Sequence, residues 1–400
     1  MGRRGLFRLC AAWAASRAGV APSAFKAAGA SDSVTVGIIG AGSHGTYLME
    51  ELERQGCRTA ALCDVYEKRL DWALARCRSV PTPLRTKYYE KVLDMKEVDA
   101  VVNATPEHWH HDILLAAVRA EKDVYTEKPL AASIEQANAL VEAVNRSKCV
   151  VQVGHQRRSG EHWKRARHVI TSGTLGEITW IRVFDTRWWV KHDPFANRTV
   201  DPSLIDWKRF LGPAPSVPLD PYRYWAWRWF WNFAGGLLTD IGSHLFDLVN
   251  WLTDTLGPKT VTANGGVYYF KRWETPDVVH AVLDYGFFSV LFSAGFTNRY
   301  EGAGARFYGT EGTLVITRDE FKVLKENQGS AEKQIASWPR TYETPSHVAN
   351  WLECIRTRRL PNASVETARN AVNTAHAANL SYRKGLRIRW SPEEQKALKK

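Results

Sequence analysis

The 400-residue sequence predicts an α/β fold in two parts. One is a doubly wound parallel sheet over residues 31–155. The other, over residues 156–390, is an α/β domain with an open, mostly antiparallel sheet. Three observations carry this. Short β-branched runs alternate with helical patterns from residue 34 to residue 153, as crossover helices between parallel strands require. A glycine-rich turn joins the first such strand to the first such helix. After residue 155 the alternation gives way to aromatic residues, and then to longer strands separated by turns.

In the first part, strands are expected at 34–39, 59–63, 100–103, 123–125 and 150–153, with helices at 43–55, 108–119 and 134–145. In the second, strands are expected at 177–187, 260–270, 278–285, 289–296, 306–308 and 313–317, with turns at Tyr285-Gly286 and Gly309-Thr310-Glu311-Gly312. Helices at 345–357 and 365–384 close the chain, and the basic tail 391–400 is expected to fray.

The composition, 44% hydrophobic and 24% charged, is that of a globular protein, with no apolar run long enough for a membrane span. The net charge of +12 is partly local: the first thirty residues carry Arg3, Arg4, Arg8, Arg17 and Lys26 and no acid. The remaining excess is spread without a basic block, which argues against nucleic acid as the partner and for a general anion preference. Residues 1–30 resemble a twin-arginine export signal, which predicts a periplasmic protein. Against this, Arg17 interrupts the apolar stretch and Leu6-Phe7 stand in the reverse of the usual order. A basic leader on a cytoplasmic protein is the alternative. The six cysteines show no metal-ligand spacing, and no metal is expected.

After the first strand comes Gly40-Ala41-Gly42-Ser43-His44-Gly45, a G-x-G-x-x-G run opening into a helix. Gly40 permits the tight turn, Gly42 lets the backbone approach a pyrophosphate, and Gly45 allows the helix to pack on the strand. Ser43 and His44 sit inside the motif at the helix N-terminus, where unpaired N–H groups face phosphate. Asp64, nineteen residues on, ends the second strand, where a carboxylate accepts from ribose hydroxyls and repels a 2′-phosphate. The expected cofactor is therefore NAD, with NADP left open because Lys68 and Arg69 lie nearby.

Two further segments carry chemistry. Glu127-Lys128-Pro129 follows a parallel strand at its carboxyl end, where ligands of open α/β sheets bind. Pro129 keeps Lys128 extended. In the run from Gly235 to His244, Leu238, Ile241, Leu245, Leu248 and Leu252 form an apolar helical stripe, while Asp240 and His244 share another face. A carboxylate and an imidazole so placed need polar partners or a cavity. A buried pair that merely fixes packing is as good a reading of these two residues alone.

The order and spacing of these marks, with Thr105-Pro106 and His110 between them and Gly309-Thr310-Glu311-Gly312 beyond, resemble the Gfo/Idh/MocA oxidoreductases over nearly all of the chain after residue 33. The resemblance implies a Rossmann domain followed by an open-sheet domain whose free face forms subunit contacts, giving a homodimer or homotetramer. It implies that Lys128 hydrogen-bonds the reacting hydroxyl, His244 takes its proton, and Asp240 orients the substrate or His244. Thr105, Pro106, His110, Glu127 and Lys128 would border the cofactor.

The residue types suit that chemistry independently, since oxidising a secondary alcohol needs a base titrating near neutrality. Eight of the seventeen tryptophans fall between Trp180 and Trp231, and aromatic faces suit sugar rings, although such a segment also suits a subunit interface. Arg158, Trp188 and Trp231 are assigned to the substrate. The expectation is an NAD(P)-dependent oxidoreductase acting on a sugar, polyol or related carbohydrate, with its cofactor tightly held if exported. The alternative is a glycoside hydrolase or lyase using tightly bound NAD for transient oxidation. A silent sugar sensor is disfavoured by the intact Lys128, Asp240 and His244 set.

Overall fold

The computed structural model describes residues 33–398 apart from 80–81, 192, 318, 327–332 and 340–341. The leader 1–30 and the last two residues of the basic tail lie outside the described residues. Ser33–Lys400 cluster as one compact unit holding two sheets.

The first sheet contains β1 (Thr35–Ile39), β2 (Arg58–Cys63), β3 (Leu84–Thr86), β4 (Ala100–Asn103), β5 (Asp123–Thr126) and β6 (Val151–Val153). Its strands are all parallel, in the order β3-β2-β1-β4-β5-β6. This is the doubly wound arrangement, and it places the carboxyl ends of β1 and β4 at the switch point where ligands bind. Every residue of β1, β4 and β5 is buried, which explains why their centres are apolar and polar residues such as Asn103 and Asp123 fall at their ends. Around the sheet lie α1 (Ser43–Arg54), α2 (Glu67–Leu74), α3 (Tyr89–Leu93), α4 (His110–Arg119) and α5 (Ile134–Asn145), the last capped by the Ser133 hydroxyl accepting from Gln136 N. Cys57 and Cys63 are buried at the ends of β2, and burial raises both thiols, Cys57 to about 11.

After α6 (Glu161–Thr171), the second sheet begins with β7 (Ile178–Thr186). Three short helices follow, α7 (Trp207–Leu211), α8 (Pro221–Trp225) and α9 (Gly236–Asp240), then α10 (Gly242–Thr253). The remaining strands are β8 (Thr260–Gly266), β9 (Val278–Asp284), β10 (Ser289–Gly295), β11 (Ala303–Gly309), β12 (Gly312–Thr317), β13 (Glu320–Lys325), β14 (Lys333–Pro339), β15 (Ile388–Ser391) and β16 (Lys396–Ala397). Only β7 with β10 runs parallel among the paired neighbours. The strands β8 and β9 alternate buried and exposed, so one face packs on the core and the other is open.

Besides adding strands that were not expected, β3, β13, β14, β15 and β16, the structure changes three expectations. The helices α11 (Glu343–Thr357) and α12 (Val365–Lys384) do not merely close the second part. Trp351, Leu352 and Ile355 of α11 pack in the core beneath β1, and α12 runs from the first core, at Ala368 and Val372, into the second, at Ala375 and Ala378. Trp351 is fully buried, so Trp351→Ala would cost about 3–5 kcal/mol. The basic tail is held as far as residue 398: β15 pairs with β8, β16 folds back on β15, and the Gln395 carbonyl accepts from Asn138 Nδ2. Fraying was expected from charge, and these backbone pairings outweigh it. Finally, the helix expected across Leu238 and Leu252 is broken at Ile241, between α9 and α10.

A segment of the second part returns to the first. Ile205 forms an antiparallel bridge with Tyr66, Glu67 N donates to Leu204 O at 3.0 Å, and Asp206 N donates to Val65 O at 2.9 Å. At its far end the Phe210 carbonyl accepts from Trp109 Nε1 at 2.9 Å and meets His108 Nε2 at 2.8 Å. The strap 201–212 is thereby fastened after β2 and again after β4.

Candidate active site

The turn after β1 is built for close approach. Gly40 has φ +90°, and a Cβ there would stand 2.6 Å from the Ala104 backbone. A Cβ on Gly45 would stand 2.0 Å from Gly40 O, so the packing of α1 on the turn requires glycine. A Cβ on Gly42, by contrast, would meet nothing within 4 Å, because it would enter a groove. That groove, a cavity of 520 Å³, is lined by Gly40, Gly42, Ser43, His44, Asp64, Thr105, Pro106, Glu127 and Lys128. The N-terminus of α1 opens into it, with the first-turn amides an α-helix leaves without partners. The strap supplies Arg209 and Phe210 to its far wall, and Tyr224 and Trp225 complete it.

Asp64 accepts from Tyr66 N at 3.0 Å, and burial raises its carboxyl to about 6. Arg69, Lys87 and Arg209 line the same end of the groove. Turn, helix end, carboxylate and cations together fit a dinucleotide.

Further along, the Glu127 carboxylate meets His44 Nε2 at 2.9 Å and accepts from Lys128 N at 3.1 Å. Burial alone would raise Glu127, but the charges of His44 and Lys128 outweigh it and hold the carboxyl at about 2. The same carboxylate raises His44, in the first turn of α1. His110 stands behind this wall rather than in it. Its ring is buried and bridges two carbonyls, with Nδ1 2.5 Å from Pro129 O and Nε2 2.9 Å from Thr105 O, so it braces both cofactor-lining segments.

A second cavity, of 430 Å³, continues from the first: Lys128, Gln156, Phe195, Arg228 and His244 line both. Lys128, preceding a cis Pro129, donates from Nζ to Asp240 Oδ1 at 2.6 Å and to the Asp240 carbonyl at 2.8 Å. Burial would raise Asp240, but Lys128, then Arg228 and Arg187, hold it ionised and well below the usual carboxylate range. The break at Ile241 puts the Asp240 carbonyl at the end of α9, where Lys128 reaches it. His244 follows in the first turn of α10, with its ring 5.7 Å from that of buried His155.

The three residues assigned to the substrate lie elsewhere. Arg158 is buried, its Nε 2.9 Å from both carboxylate oxygens of Asp247 and its Nη2 2.8 Å from Oδ1, so Asp247 engages the guanidinium away from the cavity. Trp188 is 41% exposed on the outside of the chain, while its neighbour Trp189 lines the second cavity. Adjacent residues of an extended segment face opposite ways, so one of the pair faces in. Trp231 donates from Nε1 to Glu274 O and lies on Tyr382, outside both cavities.

Of the aromatic segment ending at Trp231 that the sequence offered as a wall for a sugar, Trp225 and Trp227 line the first cavity, Trp229 the second and Arg228 both, whereas Trp109 in the first and Asp185 and Arg187 in the second were not singled out. Glu107 was also missed: its buried carboxyl accepts from Thr239 Oγ1 at 3.0 Å and Gly235 N at 3.4 Å, and burial raises it to about 8.

Both parts of the chain match known proteins. Residues 34–155 match the model of the oxidoreductase family with an NAD-binding Rossmann fold, and residues 163–315 match the C-terminal domain model of the same family. An inositol 2-dehydrogenase of Saccharopolyspora erythraea is 30% identical over 58% of this chain and 56% of its own length, so the chain spans little more than half of that relative. An NADP(+) scyllo-inositol 2-dehydrogenase of Bacillus subtilis is 24% identical over 71% of this chain and 69% of its own length. Among solved structures, a levoglucosan dehydrogenase complexed with NADH and levoglucosan superposes with a TM-score of 0.72 over 90% of this chain and 99% of that one, at 18% identity, which bears on the fold alone. With its glycine turn, its Lys128, Asp240 and His244 around one cavity and both halves matched in order, the chain belongs to the Gfo/Idh/MocA family of NAD-binding oxidoreductases.

Proposed function

We propose that the protein transfers a hydride between a CH–OH group of a sugar, polyol or related carbohydrate and a nicotinamide cofactor. The observation that carries this is the meeting of Lys128, Asp240 and His244 in a cavity continuous with the dinucleotide groove. The bound nicotinamide would supply the hydride acceptor. The protein's share is proton management and positioning. The Lys128 ammonium, fixed by two oxygens of Asp240, donates a hydrogen bond to the reacting hydroxyl oxygen. His244 takes the hydroxyl proton, as an imidazole nitrogen beside the reacting carbon can. Trp189 offers an aromatic surface to the apolar side of a sugar ring, backed by the buried Trp229. Purified protein incubated with sugars and glycosides, followed by NAD(P)H absorbance and product mass, tests this reading. Net reduced cofactor is expected; no turnover of any member, together with ligand binding indifferent to His244→Ala, would overturn it.

The strap supports a tightly held cofactor, because Arg209 and Phe210 close the groove while 201–212 is fastened on both sides of it. A retained cofactor also admits the second reading, a glycoside hydrolase or lyase in which transient oxidation beside the glycosidic carbon acidifies its hydrogen and the hydride is then returned. Cleaved glycoside without net reduced cofactor would select it.

Residues 3–4 and the small residues up to Ala30 support export to the periplasm by the twin-arginine route. Arg3→Lys with Arg4→Lys would then trap the protein inside the cell, and unchanged localisation would overturn this. Among the described residues no helix is long and apolar enough to cross a membrane. The open face of the second sheet, with Trp180 stacked on Tyr308 at 3.7 Å and Val282 exposed, supports assembly as a homodimer or homotetramer, measurable by light scattering.

A further inference from the structure

The second cavity is richer in cations than its catalytic pair requires. Its charged lining is Lys128, Arg157, Arg187 and Arg228 against Asp185, Asp240 and Glu343. Arg187 is met in fork geometry by Asp185, Nε to Oδ1 at 2.9 Å and Nη2 to Oδ2 at 3.0 Å, so that pair is neutral within itself. Glu343 accepts from Trp163 Nε1, and Arg157 lies over the same Trp163 ring at 5.3 Å. What remains is Asp240, a single carboxylate shared by Lys128 at 2.6 Å and Arg228 at 3.3 Å. Two cations on one anion leave a positive excess on the cavity floor, and the oxidised nicotinamide is itself a cation. A half-enclosed excess of charge calls for an anion.

Arg228 is the group placed to meet it. It gives Asp240 one of its five N–H bonds, from Nε. Its guanidinium lies over Trp227 with Cζ 4.2 Å from the ring centroid, so its plane is set before a ligand arrives. Its side chain is 41% exposed, and it lines both cavities beside Lys128 and His244. A planar fork so held suits a carboxylate.

We infer that the substrate is a sugar acid, an aldonate or uronate whose carboxylate is bound by Arg228 while the hydroxyl to be oxidised lies against Lys128 and His244. This rests on the proposed carbohydrate oxidoreductase and narrows it. The carboxylate is unchanged in the reaction. The C–H hydride goes to the nicotinamide and the hydroxyl proton to His244, as for a neutral sugar. An anionic oxygen group could also come from the cofactor pyrophosphate. The substrate is favoured because Arg228 pairs with Asp240 on the catalytic floor, whereas the Gly40-Ala41-Gly42 turn and the N-terminus of α1 are the groups that would hold the phosphates.

The test compares pairs that differ only at the acid: glucuronate with glucose, galacturonate with galactose, gluconate with sorbitol. With the holoenzyme, kcat/KM for at least one acid is expected to exceed that of its neutral partner by tenfold or more. Arg228→Gln is expected to collapse that ratio at least tenfold, mainly through KM, and Arg228→Lys to restore it in part. Equal or better use of the neutral partners would overturn the inference while leaving the oxidoreductase reading intact. A tenfold loss of NADH affinity in Arg228→Gln, with the acid preference kept, would assign the residue to the cofactor and also overturn it. If neither member of any pair is oxidised, calorimetric binding of glucuronate, galacturonate and gluconate to the NADH-loaded protein decides. Binding of one of them that Arg228→Gln weakens tenfold supports the inference even as the redox reading fails, and indifference overturns both.

Discussion

Lys128 Nζ contacts two oxygens of Asp240, the carboxylate at 2.6 Å and the main-chain carbonyl at 2.8 Å, across 112 residues of sequence. The ammonium is held by both oxygens where the two cavities meet. Removing it should cost catalysis rather than cofactor binding. Lys128→Met is expected to lower kcat/KM by about 10²–10⁴-fold, with NADH still binding in a fluorescence titration. Near-parental turnover would remove Lys128 from the mechanism.

Asp64 should make cofactor affinity depend on pH. Burial raises its carboxyl to about 6, and only the ionised form accepts two ribose hydroxyl bonds. NADH affinity should therefore rise with pH through about 6 and level off above it. In Asp64→Asn the profile should be flat across that range, and NADP should gain on NAD. A parental slope in the variant would place the titrating group elsewhere.

Glu107 should make stability fall with pH. Burial raises its carboxyl to about 8 from an ordinary 4.5, so between those values the folded protein keeps a proton that the unfolded chain has released. Folding stability from this group is complete below about 4.5 and is lost as pH rises to about 8. Glu107→Gln keeps an acceptor for Thr239 and Gly235 without titrating. Its Tm should decline less between pH 6 and 8.5 than the parent's, and parallel Tm curves would refute this account.

Trp225 should slow cofactor release. Its ring lies between the Arg69 guanidinium at 4.5 Å and that of Arg198 at 4.8 Å, linking α2 to the wall of the groove. Trp225→Ala is expected to speed NADH dissociation about tenfold in stopped-flow displacement, by analogy with the loss of one well-packed aromatic contact. An unchanged off-rate would mean that this wall does not gate release.

The parts of this fold that were legible in sequence are those fixed by local pattern. The turn Gly40 to Gly45 and the buried strands around it follow from backbone geometry and short, mostly apolar β-branched runs. Lys128, Asp240 and His244 were legible because spacing and resemblance agreed. Strand β3 escaped notice because it is three residues long and preceded by Pro81 and Pro83. Arg158, Trp188 and Trp231 were misplaced because neither charge nor aromaticity says which way a side chain points. The partner of Arg158, Asp247, lies 89 residues away, and no local signal announces such a pairing. The strap was invisible for the same reason: Leu204, Ile205 and Asp206 look like loop until Val65, Tyr66 and Glu67 stand beside them.

The strap also limits how this enzyme can be re-engineered. Dehydrogenases with detachable nucleotide-binding halves invite the exchange of one cassette for another to change cofactor. Here the first half carries only one side of the docking surface, at Tyr66 and Trp109, and the matching side, at Ile205 and Phe210, would stay behind. A graft cut at residue 155 would unite surfaces that never coevolved. Altered cofactor choice is better sought by point changes at Asp64, Arg69, Lys87 and Arg209, which leave the seam intact.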